Sequence, residues 1–297
     1  MSVEPRPIDL PLPGGRPGAC VRLHPLLSGE MPSPPGLVRR PAGRFARLRA
    51  FRAPRSRWID LPVPAFLVEH PGAGPILIDT GLHPSVAIDP KQNFGALWSR
   101  LLAFTFTEDQ PVSRQIERLG SGRHDIGVVV MTHLHWDHAS AVSEFPDATF
   151  VVDGAEWAAA TTGRSKLSDG YLRSQFDFAF DWRSIDYTSA EIDSYATFGR
   201  SVDLFGDGSV RLLSTPGHTA GHQSVLLRLD GREALLTADA AYLRDTISDG
   251  VMPLLTQDEH RFRRSLREIR QFVDQAPGAL VICGHDGPAW AELDSTY

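Results

Sequence analysis

The sequence predicts a layered α/β protein whose helices lie outside a sheet-on-sheet core. Three observations predict it. Short apolar runs of strand character fall into two groups along the 297 residues, helical patterns separate them, and side chains able to bind metal follow directly after the strands. A hydrophobic fraction of 42% suits an ordinary globular core, in one large domain or two small ones.

Residues 1–60 are rich in Pro, Gly and Arg, with eight arginines from Arg39 to Arg57 and little periodicity. An irregular extension packed on the domain is expected there. Acidic overall charge and sparse aromatics favour a solvated wrap over a basic patch at a substrate entrance or for an acidic partner. The main domain is expected over 61–297. Its first elements, VPAFLVEH (63–70) and PILIDTG (75–81), flank the turn residues PGAG and predict a β-hairpin. IGVVVMT (126–132) reads as a buried strand, followed by a His-rich loop, a short helical stretch, the strand TFVVD (149–153) and a helical pattern near 154–162. Residues 164–205 mix Tyr, Phe, Trp, Asp and Ser without a clean period and are expected as an insertion covering one end of the sheet. SVRLLSTP, QSVLLRL and EALLTAD then predict three strands, DEHRFRRSLREIRQFV (258–273) an amphipathic helix, and ALVICGH a last strand.

The bulk numbers exclude several function classes. A net charge of −6 gives no global field to draw in nucleic acid or an anionic membrane. Cys20 and Cys283 are too few for a disulfide framework and form no paired zinc spacing, so a reducing cytoplasm is expected. The N-terminal MSVEPRPIDLPLPGGRPG carries Pro and charge where a signal peptide needs an apolar stretch, and no segment is long enough to span a bilayer.

The chemistry centres on His133-Leu134-His135-Trp136-Asp137-His138. Directly after a strand, alternation points His133, His135 and Asp137 to one side, while His138 breaks the pattern and turns toward a different centre. One hexapeptide can therefore feed two adjacent metals. Imidazole with carboxylate suits zinc, iron, nickel or manganese rather than calcium, and zinc is the commonest choice for hydrolysis. Two metals need further donors, and the sequence offers His218 in STPGHTAGH, Asp239 ending ALLTAD and His285 ending LVICGH. All three sit at carboxyl ends of apolar strands, where loops gather to form sites. A carboxylate such as Asp239 can bridge two cations. With Asp137 and a bridging hydroxide it reduces four positive charges to about one, favouring a bound hydroxide at neutral pH. His24, His70, His83, His124 and His260 lack such contexts and read as core or surface residues; His222 reads as a supporting or packing residue.

HLHWDH, PGH, TAD and GHD, in that order over roughly residues 60–290, resemble the metallo-β-lactamase superfamily. The resemblance implies an αββα sandwich, two facing mixed sheets with helices outside and the site at one edge. It implies His133, His135 and His218 on one metal, Asp137, His138 and His285 on the other, and Asp239 bridging. Two zinc ions are expected, with iron, manganese or cobalt as alternatives. Asp79 in LIDTG matches a position that orients a histidine ligand, and reads equally well as a turn-former before Gly81.

Within the superfamily, Asp137 and Asp239 argue against a true β-lactamase. LLSTPGHTAGHQSVLLRL and EALLTADAAYL are similar to the quorum-quenching N-acyl homoserine lactonases, with Tyr242 at the position of their active-site tyrosine. That likeness implies attack of a metal-bridging hydroxide on a lactone carbonyl, an oxyanion stabilised by Tyr242, and a proton carried by Asp137 to the departing alkoxide. Phe45, Phe51, Phe104, Phe106, Phe176, Phe178 and Phe180 are candidates for an apolar pocket or for core. A pyridoxine-derived lactone or a glutathione thioester are alternative substrates of the same fold, and a diiron redox or binding module is the non-catalytic alternative. The expected partner is a small-molecule lactone, with no nucleic acid or membrane; a homodimer stays open.

Overall fold

The computed structural model describes residues 3–162 and 169–297. Thirteen strands are described: β1 (Arg6–Pro7), β2 (Arg22–Ser33), β3 (Ile59–His70), β4 (Gly74–Ile78), β5 (Val128–Val130), β6 (Thr149–Asp153), β7 (Asp181–Ile185), β8 (Asp193–Tyr195), β9 (Phe198–Asp203), β10 (Val210–Ser214), β11 (Gln223–Arg228), β12 (Glu233–Ala238) and β13 (Leu280–Cys283). They form two sheets, ordered β1-β7-β6-β5-β4-β3-β2 and β13-β12-β11-β10-β9-β8. Both are mixed. β4 through β7 run parallel and β2–β3–β4 antiparallel, while β13 is the parallel edge of the otherwise antiparallel second sheet.

Alternation within the apolar runs builds the layers. Ile76, Ile78, Val130 and Val151 of the first sheet meet Leu212, Val225, Leu227 and Leu236 of the second in one core. The intervening residues face outward: Leu77, Val129 and Phe150 pack with Val112, Ile116 and Trp157 of flanking helices, and Leu213, Leu226 and Leu235 pack with Phe262, Leu266, Ile269 and Phe272 of the helix Glu259–Gln275. Strands covered on both faces read as continuous apolar runs, and the result is the αββα sandwich. Among the described residues no helix is long and apolar enough to cross a membrane.

Two expectations from the sequence are corrected. Residues 22–33, expected as irregular, form the twelve-residue β2, paired antiparallel with β3. β2 lies at a sheet edge, where Pro25 and Pro32 are tolerated, and its register shifts between Leu27 and Glu30, around Gly29. Residues 169–205, expected as part of a covering insertion, instead supply β7 to the first sheet and β8 and β9 to the second; 164–168 lie outside the described residues.

Candidate metal centre

Strand ends deliver all seven candidate ligands to one place. β5 stops at Val130, the chain bends at Thr132, and His135 takes the N-cap position of the single helical turn Trp136–Ala139. Asp137 and His138 are therefore on a helix, so the alternation expected to align Asp137 with His133 and His135 ends one residue too early. His218 follows β10, Asp239 follows β12 and His285 follows β13. β12 and β13 slip register between Leu236 and Ala238, and Ala238 takes φ +43°, a conformation costly for a residue with a Cβ. That turn swings Asp239 inward. Gly284 packs so closely that a Cβ there would lie 2.7 Å from Asp239 Oδ1 and 2.8 Å from Ala238 O.

The side chains fall into two sets, His133, His135, His218 and Asp239, and Asp137, His138 and His285, the ligand atoms of each set lying within 4.8 Å of one another. Asp239 stands between them. Its Oδ2 lies 3.2 Å from His218 Nε2 and 3.9 Å from His133 Nε2, while Oδ1 lies 3.1 Å from His285 Nε2 and 3.5 Å from His138 Nε2. Asp137 Oδ2 lies 3.7 Å from His285 Nε2 and 3.8 Å from His138 Nε2. His135 Nδ1 faces His218 Nε2 at 2.9 Å. Among the described residues His133 Nε2, His138 Nε2 and Asp239 Oδ1 are buried without a hydrogen-bond partner, an arrangement protein interiors avoid unless an ion or water completes it. Donor types, burial and orphaned atoms together fit a pair of borderline divalent ions.

Electrostatics agree. Burial and the neighbouring imidazoles of His138 and His135 hold His133 well below the ordinary histidine range, and burial also lowers His135 and His218, leaving neutral imidazoles of the kind metals bind. Burial pulls His138 and His285 down too, but Asp79 and Asp137 around the first, and Asp239 beside the second, outweigh it and raise both. Against the effect of burial, His285 and His218 keep Asp239 well below the carboxylate range.

Several of the ligands are held from their far side. Asp79 Oδ2 takes His138 Nδ1 at 2.7 Å and Thr132 Oγ1 at 2.8 Å, and its Oδ1 accepts Thr132 N–H at 2.7 Å. His285 Nδ1 meets Pro62 O at 2.9 Å. His222 stays outside both sets; its Nε2 accepts Asp239 N–H at 3.0 Å and its Nδ1 meets Thr215 Oγ1, so it anchors the backbone of Asp239. Tyr242 is buried, its hydroxyl 3.4 Å from His218 Nδ1 and its ring 5.0 Å from that of His285. Burial, then Asp239 and Asp137, push its phenol well above the ordinary value, so it keeps its proton at neutral pH.

Other histidines lie elsewhere: His24 meets Thr296, His70 Asp207, His83 Ser85 and His124 Asp147, while His260 is exposed. The candidate pocket phenylalanines separate. Phe104 and Phe106 pack with Trp136 and Tyr242 beside the centre, Phe176, Phe178 and Phe180 join the outer layer of the first sheet, and Phe45 and Phe51 are exposed. Sequence reasoning missed Glu156, a fully buried carboxylate that binds the backbone between ligand candidates; in sequence it is indistinguishable from the acid of a helix-capping pair.

Comparison with known proteins adds kinship. The family model of the Metallo-beta-lactamase superfamily matches residues 58–285. N-acyl homoserine lactonase AttM of Rhizobium radiobacter is 36% identical over 240 residues, covering 79% of this chain and 85% of that protein. The crystal structure of a mutant AiiA of B. thuringiensis with N-decanoyl-L-homoserine bound at its active site shares the fold, with a TM-score of 0.73 at 22% identity over 95% of this chain and 98% of that one. AidC, a dizinc quorum-quenching lactonase, superposes with a TM-score of 0.60 at 17% identity, covering 93% and 90%.

Proposed function

This chain belongs to the metallo-beta-lactamase superfamily, and from that membership we propose that it is a two-metal hydrolase opening the ring of N-acyl homoserine lactones, with His133, His135, Asp137, His138, His218, Asp239 and His285 as ligands. The observation that carries the reading is Asp239, whose two oxygens face two separate sets of imidazoles. A bridging carboxylate needs that placement. Zinc is the proposed ion, because neutral imidazoles with carboxylates are its usual hydrolytic donor set, and AidC is a dizinc protein.

When bound, the two ions supply a nucleophilic water at neutral pH and polarise the ester carbonyl. Asp137, between His138 and His285, accepts the proton of the attacking water and returns it to the ring oxygen as the carbonyl carbon–oxygen bond breaks. The protonated Tyr242 hydroxyl donates to the oxygen that gains charge in the tetrahedral state. Burial of the ligands keeps bulk water from competing with these contacts. The likeness to AttM over 85% of its length, with Tyr242 at the motif position, supports the lactone over a thioester. Cys20 and Cys283 are both free, which supports a reducing, cytoplasmic site of action.

Metal analysis with rates on long- and short-chain acyl homoserine lactones, a simple lactone, a glutathione thioester and a phosphodiester tests the proposal. About two metals per chain and a clear lactone preference are expected, with both lost in Asp239→Asn. No preference for lactones sinks the substrate assignment.

A further inference from the structure

Glu156 lies on the helix Gly154–Thr161 and is completely buried. It stands three residues after the N-cap Asp153, the place of the acid in a capping pair, yet Asp153 caps the helix by itself, accepting Ala155 N–H at 2.7 Å. Glu156 turns inward. Its Oε1 accepts Leu134 N–H at 3.0 Å and Tyr171 O–H at 3.1 Å, and its Oε2 accepts Gly221 N–H at 3.1 Å.

Those partners matter because of where they sit. Leu134 separates His133 from His135, and Gly221 is three residues beyond His218, so one carboxylate joins both chain segments that carry the imidazoles of one set. The approach is tight: a Cβ on Gly221 would lie 2.3 Å from Glu156 N. Tyr171 extends the tie, with its ring 5.0 Å from that of His135 and its hydroxyl accepting Gln257 Nε2–H at 3.2 Å, while Gln257 N–H donates to His218 O at 3.1 Å. No ion pair reaches Glu156 among the described residues. Burying a lone carboxylate is costly unless a cation lies close by, and a metal ion in the adjacent set answers that need.

We propose that Glu156 is a positioning residue that holds the His133/His135 loop and the His218 loop together around one metal ion and balances that ion's charge. The inference rests on the two-metal reading. Its test is zinc titration against a competing chelator in two backgrounds, His285→Ala, which leaves the His133/His135/His218/Asp239 set to be read alone, and His135→Ala, which leaves the other. Glu156→Gln keeps the shape but turns an amide N–H toward a backbone N–H. It is expected to weaken zinc about 10- to 100-fold in the first background and by less than about twofold in the second. Tyr171→Phe removes one of the three donors and is expected to shift the same constant about threefold; it carries the test alone should Glu156→Gln not fold. Equal losses in both backgrounds, or a lower melting temperature of the metal-free protein with unchanged zinc constants, overturn the inference alone. A wild-type chain that binds no zinc overturns the two-metal reading and the inference with it.

Discussion

Asp79→Asn tests the direct support of one metal ligand, His138. Asp79 has φ +57°, a left-handed conformation that asparagine also adopts readily, so the backbone has no reason to move. The side chain loses only acceptors. Asp79 accepts three hydrogen bonds, from Thr132 N–H, Thr132 Oγ1 and His138 Nδ1. If the amide oxygen keeps Thr132 N–H, the amide nitrogen confronts His138 Nδ1–H, and the imidazole must shift its proton to Nε2, the atom facing Asp137 and Asp239. If the amide flips, Thr132 N–H is left buried and unpaired, which costs about 1–3 kcal/mol. Loss of a group that orients a metal-binding histidine typically weakens the metal 10- to 100-fold, or about 1.4–2.8 kcal/mol, the same range. Zinc titration against a chelator is the assay, resolved into two constants for wild type and variant. The constant of the His138 set is expected to weaken by that amount and the other by less, since Asp79 reaches His133 only through Thr132 Oγ1. A folded Asp79→Asn protein with both constants within about twofold of wild type would refute the tie between Asp79 and the second ligand set.

Tyr242→Phe keeps the ring against His285 and removes the donor, so lactone turnover is expected to fall about 100- to 1,000-fold with zinc content unchanged; an unaltered kcat removes the hydroxyl from the reaction. Gly284→Ala places a methyl 2.7 Å from Asp239 Oδ1, and the displaced carboxylate is expected to lower zinc affinity at least about tenfold and stability by about 1–3 kcal/mol in urea melts. Retained zinc binding there shows that the Asp239 turn has slack. Burial pushes His222 down to about 3, so as pH falls below the ordinary histidine value the unfolded chain takes up a proton that the folded one refuses. Stability is lost on acidification, by about 2 kcal/mol for this group between about pH 7 and pH 5, and metal-free His222→Gln is expected to lose about 2 kcal/mol less over that range. Parallel slopes for the two proteins contradict the assignment.

The reach of the sequence follows from which signals are local. HLHWDH after an apolar strand, and His218, Asp239 and His285 at three further strand ends, are legible because residue type and strand termination need no knowledge of distant contacts. The near-continuous apolar runs of IGVVVMT and EALLTAD mark strands buried on both faces, and those strands lie in the two sheets. β2 escaped notice because Pro25, Pro32 and Gly29 are turn signals locally, and only pairing with β3 at a sheet edge makes them compatible with a strand. β7, β8 and β9 were hidden by aromatic and polar residues without a period, whose strand character comes from the neighbours they pair with.

By itself, then, the sequence determined the class of fold, the identity of seven candidate ligands and the chemistry they suit, since spacing and donor type express these directly. The family resemblance already implied how the ligands divide; only the tertiary structure decided what produces that division: that Asp137 sits beside His138 because a helix begins at Trp136, that the oxygens of Asp239 face opposite sets, and that Glu156 reaches across to Leu134 and Gly221 instead of capping its own helix. These are contacts between segments far apart in the chain, set by how strands pair and layers pack, and no local pattern of residues encodes a direction in space.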